Sequence, residues 1–397
     1  MTRFEQRIKA RLDNIRALGL ARNLLELGIS GEGRVVYQGR EYLNCAGNDY
    51  LGLAADPKLV AQFYDQLDEK TLLSRFGPGS TGSRLMTGNH GVNRELEEGL
   101  SRLYDPGRVL VFNSGYHANI GILPALAQRG DLILADKLCH ASLIDGMRLS
   151  RAKVIRYPHM DYARLEALLA QHRKAYGQVF IVTESIFSMD GDTANLGRMV
   201  HLKEQLHAVL YVDEAHAVGL RGRHGLGLAE EQGMLEAVDL LVGTFGKAWA
   251  GQGAFVVCSQ VLRKYLLNTA RSFIFTTGLP PVSLSWLLFV MKKIPQMTRQ
   301  RRHIRQLADS LRKGLLREGL ETGGNSHIMP VLIGAADRAV QVAETLRKRG
   351  FWITAVRPPT VPAGTARLRL SLTAAMKEED LASLPRLLAD AIMDMQA

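Results

Sequence analysis

Cysteine is scarce: Cys45, Cys139 and Cys258 stand far apart, and none belongs to a C-x-x-C pair. Such spacing supplies neither a disulfide framework nor a thiolate zinc site, and it suits a reducing compartment. Long apolar runs are also missing. The most apolar stretch, residues 282–291, falls well short of the ~18 residues that a membrane-spanning helix needs. Residues 1–12 carry charge throughout and lack the apolar centre of a secretory signal, so a cytoplasmic protein is expected. No repeat of solenoid or propeller length is visible, and no segment is of low complexity.

What is present fits a folded enzyme-sized body. The chain has 397 residues, 46% hydrophobic and 22% charged, close to an ordinary globular composition. Lys and Arg total 50 against 39 Asp and Glu, a net +11 that favours anionic partners such as phosphates or acyl thioesters of a nucleotide carrier. Nucleic acid is not expected among them. Arg299, Arg301, Arg302 and Arg305 form a basic run, but no stacking aromatics accompany it, and a solvated helix face accounts for it.

Phe4, Ile8, Leu12 and Ile15 recur at helical spacing and predict an amphipathic N-terminal helix. Short strand-like runs follow at 35–37 and 42–44, so residues 1–50 read as a helix and small lobe. A large α/β domain is expected over 51–285. There, apolar runs at 109–112, 132–134, 154–155, 179–183, 209–212, 240–242 and 254–257 alternate with helical text. Strands separated by helices imply a seven-stranded, mostly parallel sheet with its chemistry at the carboxyl ends of the strands. Residues 286–397 return to short strands and helices and predict a smaller C-terminal α+β domain.

The strand ends carry compatible groups. The run at 209–212 delivers Asp213, and the run at 240–242 delivers Thr244 and then Lys247 among small residues. An isolated Asp after a strand is ordinarily a helix N-cap, and an isolated Lys a solvated surface group. Together they are the carboxylate and amine that pyridoxal phosphate chemistry requires. Gly115 and Tyr116, after Asn113-Ser114, open a helix whose N–H groups suit a phosphate. His140 and Ser188 follow two further strands, where an imidazole and a hydroxyl can meet an aromatic ring and its oxygen. The match of residues 77–82 to G-x-G-x-x-G is rejected as a nucleotide fingerprint, because Pro78 interrupts it and no strand run precedes it.

These motifs, with Asn48-Asp49-Tyr50-Leu51-Gly52-Leu53, Gly82-Ser83-Arg84-Leu85, His140-Ala141-Ser142-Leu143, Ser188-Met189-Asp190-Gly191 and Asp213-Glu214-Ala215-His216, resemble the α-oxoamine synthase family of fold-type I pyridoxal phosphate enzymes. The resemblance covers nearly the whole chain. It implies an aspartate aminotransferase-like fold and an acyltransferase. Lys247 would carry the cofactor and act as base, Asp213 would pair with the pyridine nitrogen, and His140 would stack on the ring. Ser188 and His216 would contact the ring oxygen, and Gly115, Tyr116 and Thr244 the phosphate. Thr277, or Thr276 beside it, would reach the phosphate of the partner subunit in a homodimer with shared active sites. Asn48 and Arg369 would grip the amino-acid carboxylate; alternation along the strand is expected to place Arg367 on the opposite face. Arg22 and Thr360 would meet the acyl substrate. Within the family, residues 356–369 most resemble the branch that joins L-alanine to a pimeloyl thioester, on CoA or acyl carrier protein, in biotin biosynthesis. The alternatives are glycine with acetyl-CoA, and serine with a long acyl chain. No metal is implied.

Overall fold

A computed structural model of the chain describes residues 1–394. The chain divides into two compact units. One comprises Met1–Ala55, Met189–Asp192 and the residues from Arg302 on; the other comprises Asp56–Ser188 and Thr193–Arg301.

The first unit begins with the helix Arg3–Ala17, started by a capping box in which Thr2 and Glu5 satisfy each other's main-chain N–H groups. None of its residues is buried. Strands β1 (Gly28–Gly31), β2 (Arg34–Tyr37) and β3 (Arg40–Asn44) follow as an antiparallel meander.

The second unit is built on β4 (Arg108–Phe112), β5 (Leu132–Asp136), β6 (Lys153–Tyr157), β7 (Val179–Glu184), β8 (Val209–Asp213), β9 (Leu240–Thr244) and β10 (Ala254–Cys258). Their order across the sheet is β4-β10-β9-β8-β7-β5-β6. Only β10 runs against its neighbours, so the expected seven-stranded, mostly parallel sheet is present. Strands β5, β7, β9 and β10 are buried at every position, as a sheet covered on both faces requires. One core joins Phe112, Ile122, Leu143, Val182, Tyr211 and Val242 from strands and covering helices. Because β4, β5, β7, β8 and β9 share one direction, their carboxyl ends lie along a single edge. That alignment gathers residues far apart in sequence.

The remaining strands, β11 (Ile328–Gly334), β12 (Phe351–Trp352), β13 (Thr354–Val356) and β14 (Ala366–Ser371), belong to the first unit, where β11-β14-β13 form an antiparallel sheet. Strand β12 pairs instead with β3, in parallel, so the N-terminal lobe and the C-terminal region share a sheet. Trp352 packs against Tyr37 and Tyr42 there, burying the seam. Among the described residues no helix is long and apolar enough to cross a membrane, and no cluster of His, Cys, Asp or Glu is placed to hold a metal ion. One expectation about the basic run fails. Arg301 is not a solvated residue: it is buried and its forked donors reach the carbonyls of Arg223, Ile294 and Pro295. Arg299, Arg302 and Arg305 are exposed.

Candidate active site

The carboxyl edge of the large sheet assembles the second unit's chemistry. Glu184 and Asp213 end adjacent parallel strands in direct register, and Thr244 ends the next strand. Asp213 is buried and does not cap a helix. Its Oδ1 accepts the Ala215 N–H at 2.9 Å and its Oδ2 the Asn119 side-chain amide at 2.8 Å. Both oxygens are thus held by donors, the arrangement that suits a carboxylate presented toward a cationic nitrogen.

Lys247 lies half-buried on the turn between β9 and its antiparallel neighbour β10. The turn is tightened by Phe245 N–H to Gly253 O, Gly251 N–H to Phe245 O and Ala250 N–H to Lys247 O. Gly253 has φ +112°, and a Cβ there would meet Leu279 at 2.8 Å, so only glycine closes the loop. Thr244 sits beside Gly115: a Cβ on Gly115 would touch the Thr244 side chain at 3.8 Å. Gly115 and Tyr116 begin the helix Gly115–Leu126, whose N-cap is Ser114. Its free N–H groups and partial positive charge make an anion cradle. Tyr116 donates its hydroxyl to Asp145 at 2.8 Å, which raises the phenol's pKa.

His140 caps the helix Ala141–Leu149 and meets Ser142 Oγ through Nδ1 at 2.8 Å. Burial lowers its basicity; Asp213 opposes that effect and Lys247 adds to it. Ser188 and His216 are buried in the same unit. Glu184 accepts the His140 main-chain N–H at 2.6 Å, and burial, with Asp213 nearby, pushes its carboxyl well above the usual range. An amine, a carboxylate, an imidazole, hydroxyls and a helix N-terminus along one edge match the chemical needs of pyridoxal phosphate: a covalent anchor, a partner for the ring nitrogen, a stacking ring and a phosphate cradle.

In the first unit, Arg369 is buried on β14 and donates to Asn48 Oδ1 and to the Tyr50 hydroxyl, each at 3.3 Å, while Tyr50 donates to Asn48 Oδ1 at 2.9 Å. Arg367 instead pairs with Asp190. Alternation does not separate these two arginines, since residues two apart share a face of a strand; their partners separate them. Arg22 donates to Thr360 Oγ1 at 3.2 Å, and Arg357 holds the carbonyls of Gly19 and Ala21, so the two proposed acyl-site residues lie together. In the second unit, Thr277 is exposed, and its carbonyl accepts from Asn113 at 2.6 Å. It bridges to Ser83, next to the glycine-containing residues 77–82.

The sequence assigned no role to Asn119, Ser142, Glu184 or Tyr50, although Ser142 and Tyr50 stand inside its motifs. Asn119 had a usable signal: it is an amide inside the otherwise apolar helical run of residues 118–126.

Residues 40–387 match the aminotransferase class I and II family. The chain is 50% identical over 381 residues to the 8-amino-7-oxononanoate synthase of Chlorobaculum parvum, covering 96% of this chain and 97% of that one. Among solved structures it resembles the serine palmitoyltransferase of S. paucimobilis with a bound PLP–myriocin aldimine, with TM-score 0.88 and 28% identity over 98% of this chain and 97% of that one. It also resembles the 8-amino-7-oxononanoate synthase of Francisella tularensis, with TM-score 0.73 and 26% identity over 90% and 99% of the two chains. With this match along most of its length and this sheet beneath the second unit's site residues, the chain belongs to the aminotransferase class I and II family, as a fold-type I, pyridoxal-phosphate-dependent acyltransferase of the α-oxoamine synthase group.

Proposed function

We propose that the enzyme condenses L-alanine with a pimeloyl thioester, releasing carbon dioxide and the thiol and yielding 8-amino-7-oxononanoate. The observation that carries this reading is the half-identity to a synthase named for that product over almost the full length of both chains. The nearer geometric likeness to serine palmitoyltransferase supports a second reading, serine with a long acyl chain. Sequence identity outweighs it, because substrate choice rests on side chains whereas backbone likeness reports the shared fold.

When bound, pyridoxal phosphate supplies an electron sink for charge developing at the amino acid's α-carbon. The chain's own residues do the rest. Lys247 would hold the cofactor through its amine and, with that amine free, would take the α-proton. Asp213, fixed by Asn119 and Ala215, pairs with the ring nitrogen and keeps it charged. His140 stacks on the ring, and Ser188 and His216 contact its oxygen. Gly115, Tyr116 and Thr244 take the phosphate, and Thr277 serves the partner subunit's site in a homodimer. Exposed Leu85, Met86 and Phe275 stand close in sequence to the Ser83–Thr277 bridge and favour such pairing. Arg369 and Asn48 clamp the alanine carboxylate, which fixes the Cα–H bond for removal. Arg22 and Thr360 meet the acyl chain.

The test is product identification. Purified enzyme given [1-¹³C]alanine and a pimeloyl thioester should release labelled carbon dioxide in step with a product of the mass of 8-amino-7-oxononanoate. Labelled carbon dioxide absent, or retained label in the product, refutes the reading.

A further inference from the structure

A chain of hydrogen bonds runs from Asp213 to the His140 ring, entirely inside the unit of the large sheet. Asn119 is its centre. A carboxylate only accepts, so the Asn119 amide must turn its NH₂ toward Asp213 Oδ2, at 2.8 Å. That orientation leaves Asn119 Oδ1 to accept the Tyr211 hydroxyl at 2.6 Å. The second amide hydrogen goes to Ser142 Oγ at 2.9 Å. The Ser142 main-chain N–H, which can only donate, points to His140 Nδ1 at 3.2 Å, so that nitrogen carries a lone pair. Ser142 Oγ lies 2.8 Å from the same nitrogen and donates its hydroxyl hydrogen there.

We infer that Asn119 and Ser142 are positioning residues that fix His140 as a neutral imidazole with its proton on Nε2, while Asn119 also orients the Asp213 carboxylate. The inference rests on the proposed function in that His140 and Asp213 are the ring-stacking and nitrogen-pairing groups. It gives His140 a defined polarity: Nδ1 is committed to Ser142, and Nε2–H is the donor left for the reacting centre. Desolvation of the ring, the largest influence, and Lys247 favour the neutral form, while Asp213 and Asp145 favour protonation. Glu184 bonds the His140 main-chain N–H and not the ring. The link through Asn119 is an amide, which donates two fixed hydrogens and relays no proton between Asp213 and His140.

Nitrogen-15 NMR of the full-length protein labelled at histidine tests this, both without cofactor and loaded. The His140 signals are identified by their loss in His140→Asn. The expected result is a neutral Nε2–H ring between about pH 6 and 8. Ser142→Ala should raise the midpoint of His140 protonation by roughly 0.5–1 pH unit, the loss of one hydrogen bond specific to the neutral ring, and Ser142→Thr should restore it. A proton on Nδ1, or a doubly protonated ring at neutral pH, overturns the inference, as does a Ser142→Ala protein with an unchanged midpoint. If Ser142→Ala fails to fold, the wild-type tautomer alone decides. Because the cofactor-free signals involve no substrate, a wrong tautomer leaves the alanine reading standing, and a failed alanine assay leaves the tautomer standing.

Discussion

Asp213→Asn replaces a single oxygen, yet the structure makes it a severe change. Both carboxylate oxygens accept hydrogen bonds, from Ala215 N–H and from the Asn119 amide. In the variant, the new NH₂ must face one of those donors. Turning Asn119 over offers it an oxygen, but withdraws the hydrogen that Ser142 accepts and the oxygen that the Tyr211 hydroxyl uses. Either outcome leaves at least one buried polar group unpaired, which costs about 1–3 kcal/mol. The cofactor-free variant should therefore unfold at lower urea concentration than the wild type, with a loss of that size. Catalysis should fall much further, by orders of magnitude, because an amide carries no charge to keep the ring nitrogen protonated. Two assays separate the effects: urea unfolding of the cofactor-free protein, and exchange of the alanine α-hydrogen with solvent in the loaded one. Exchange at the wild-type rate would refute the role given to Asp213, and unchanged stability would refute the donor argument.

Lys247→Ala should abolish turnover with little change in the unfolding midpoint, since Lys247 is half-buried on a turn held by main-chain bonds; borohydride should fix cofactor to the Lys247 peptide in the wild type and to no peptide in the variant, as read by mass spectrometry. Arg369→Ala removes a charged donor, worth about 1.5–3 kcal/mol, so kcat/KM for alanine should drop by roughly 10- to 150-fold; steady-state kinetics showing an unaltered kcat/KM would remove the clamp from the account. Glu214 accepts the N–H groups of Leu228 and Ala229, and burial nonetheless raises its pKa from 4.5 to about 7. A folded-state value above the unfolded one means that folding favours the protonated form, so stability should decline as pH rises from about 4.5 to 7, by about 3 kcal/mol from this group. The unfolding free energy of the wild type minus that of Glu214→Gln, without cofactor, should fall by about that amount across the window; a constant difference would count against it.

The sheet was legible because its strands are continuous apolar runs in a chain otherwise written at helical spacing. Each of the seven observed strands contains its expected run and extends it by one to three residues. Their order was less legible, since pairing such as β5 with β7 depends on packing between residues distant in sequence. The same reason hid the β3–β12 pairing: Phe351 and Trp352 are too short a run to announce a partner some 300 residues earlier. That Asp213 ends one strand and Lys247 follows its neighbour was legible, because the apolar runs before them are unbroken. The contacts of Asn119 and Ser142 were not, because they join residues distant in sequence, Asn119 to Asp213 and to Ser142. Arg301 misled because a basic run on a helix reads as solvated unless the carbonyls it caps are known.

The central claim is the pairing of alanine with a pimeloyl thioester, and one panel measures it. Alanine, glycine and serine are each offered with pimeloyl, acetyl and palmitoyl thioesters, and kcat/KM is compared across the nine combinations. The account predicts the highest value for alanine with the pimeloyl donor; a clear preference for glycine with acetyl-CoA, or for serine with the palmitoyl donor, would contradict it.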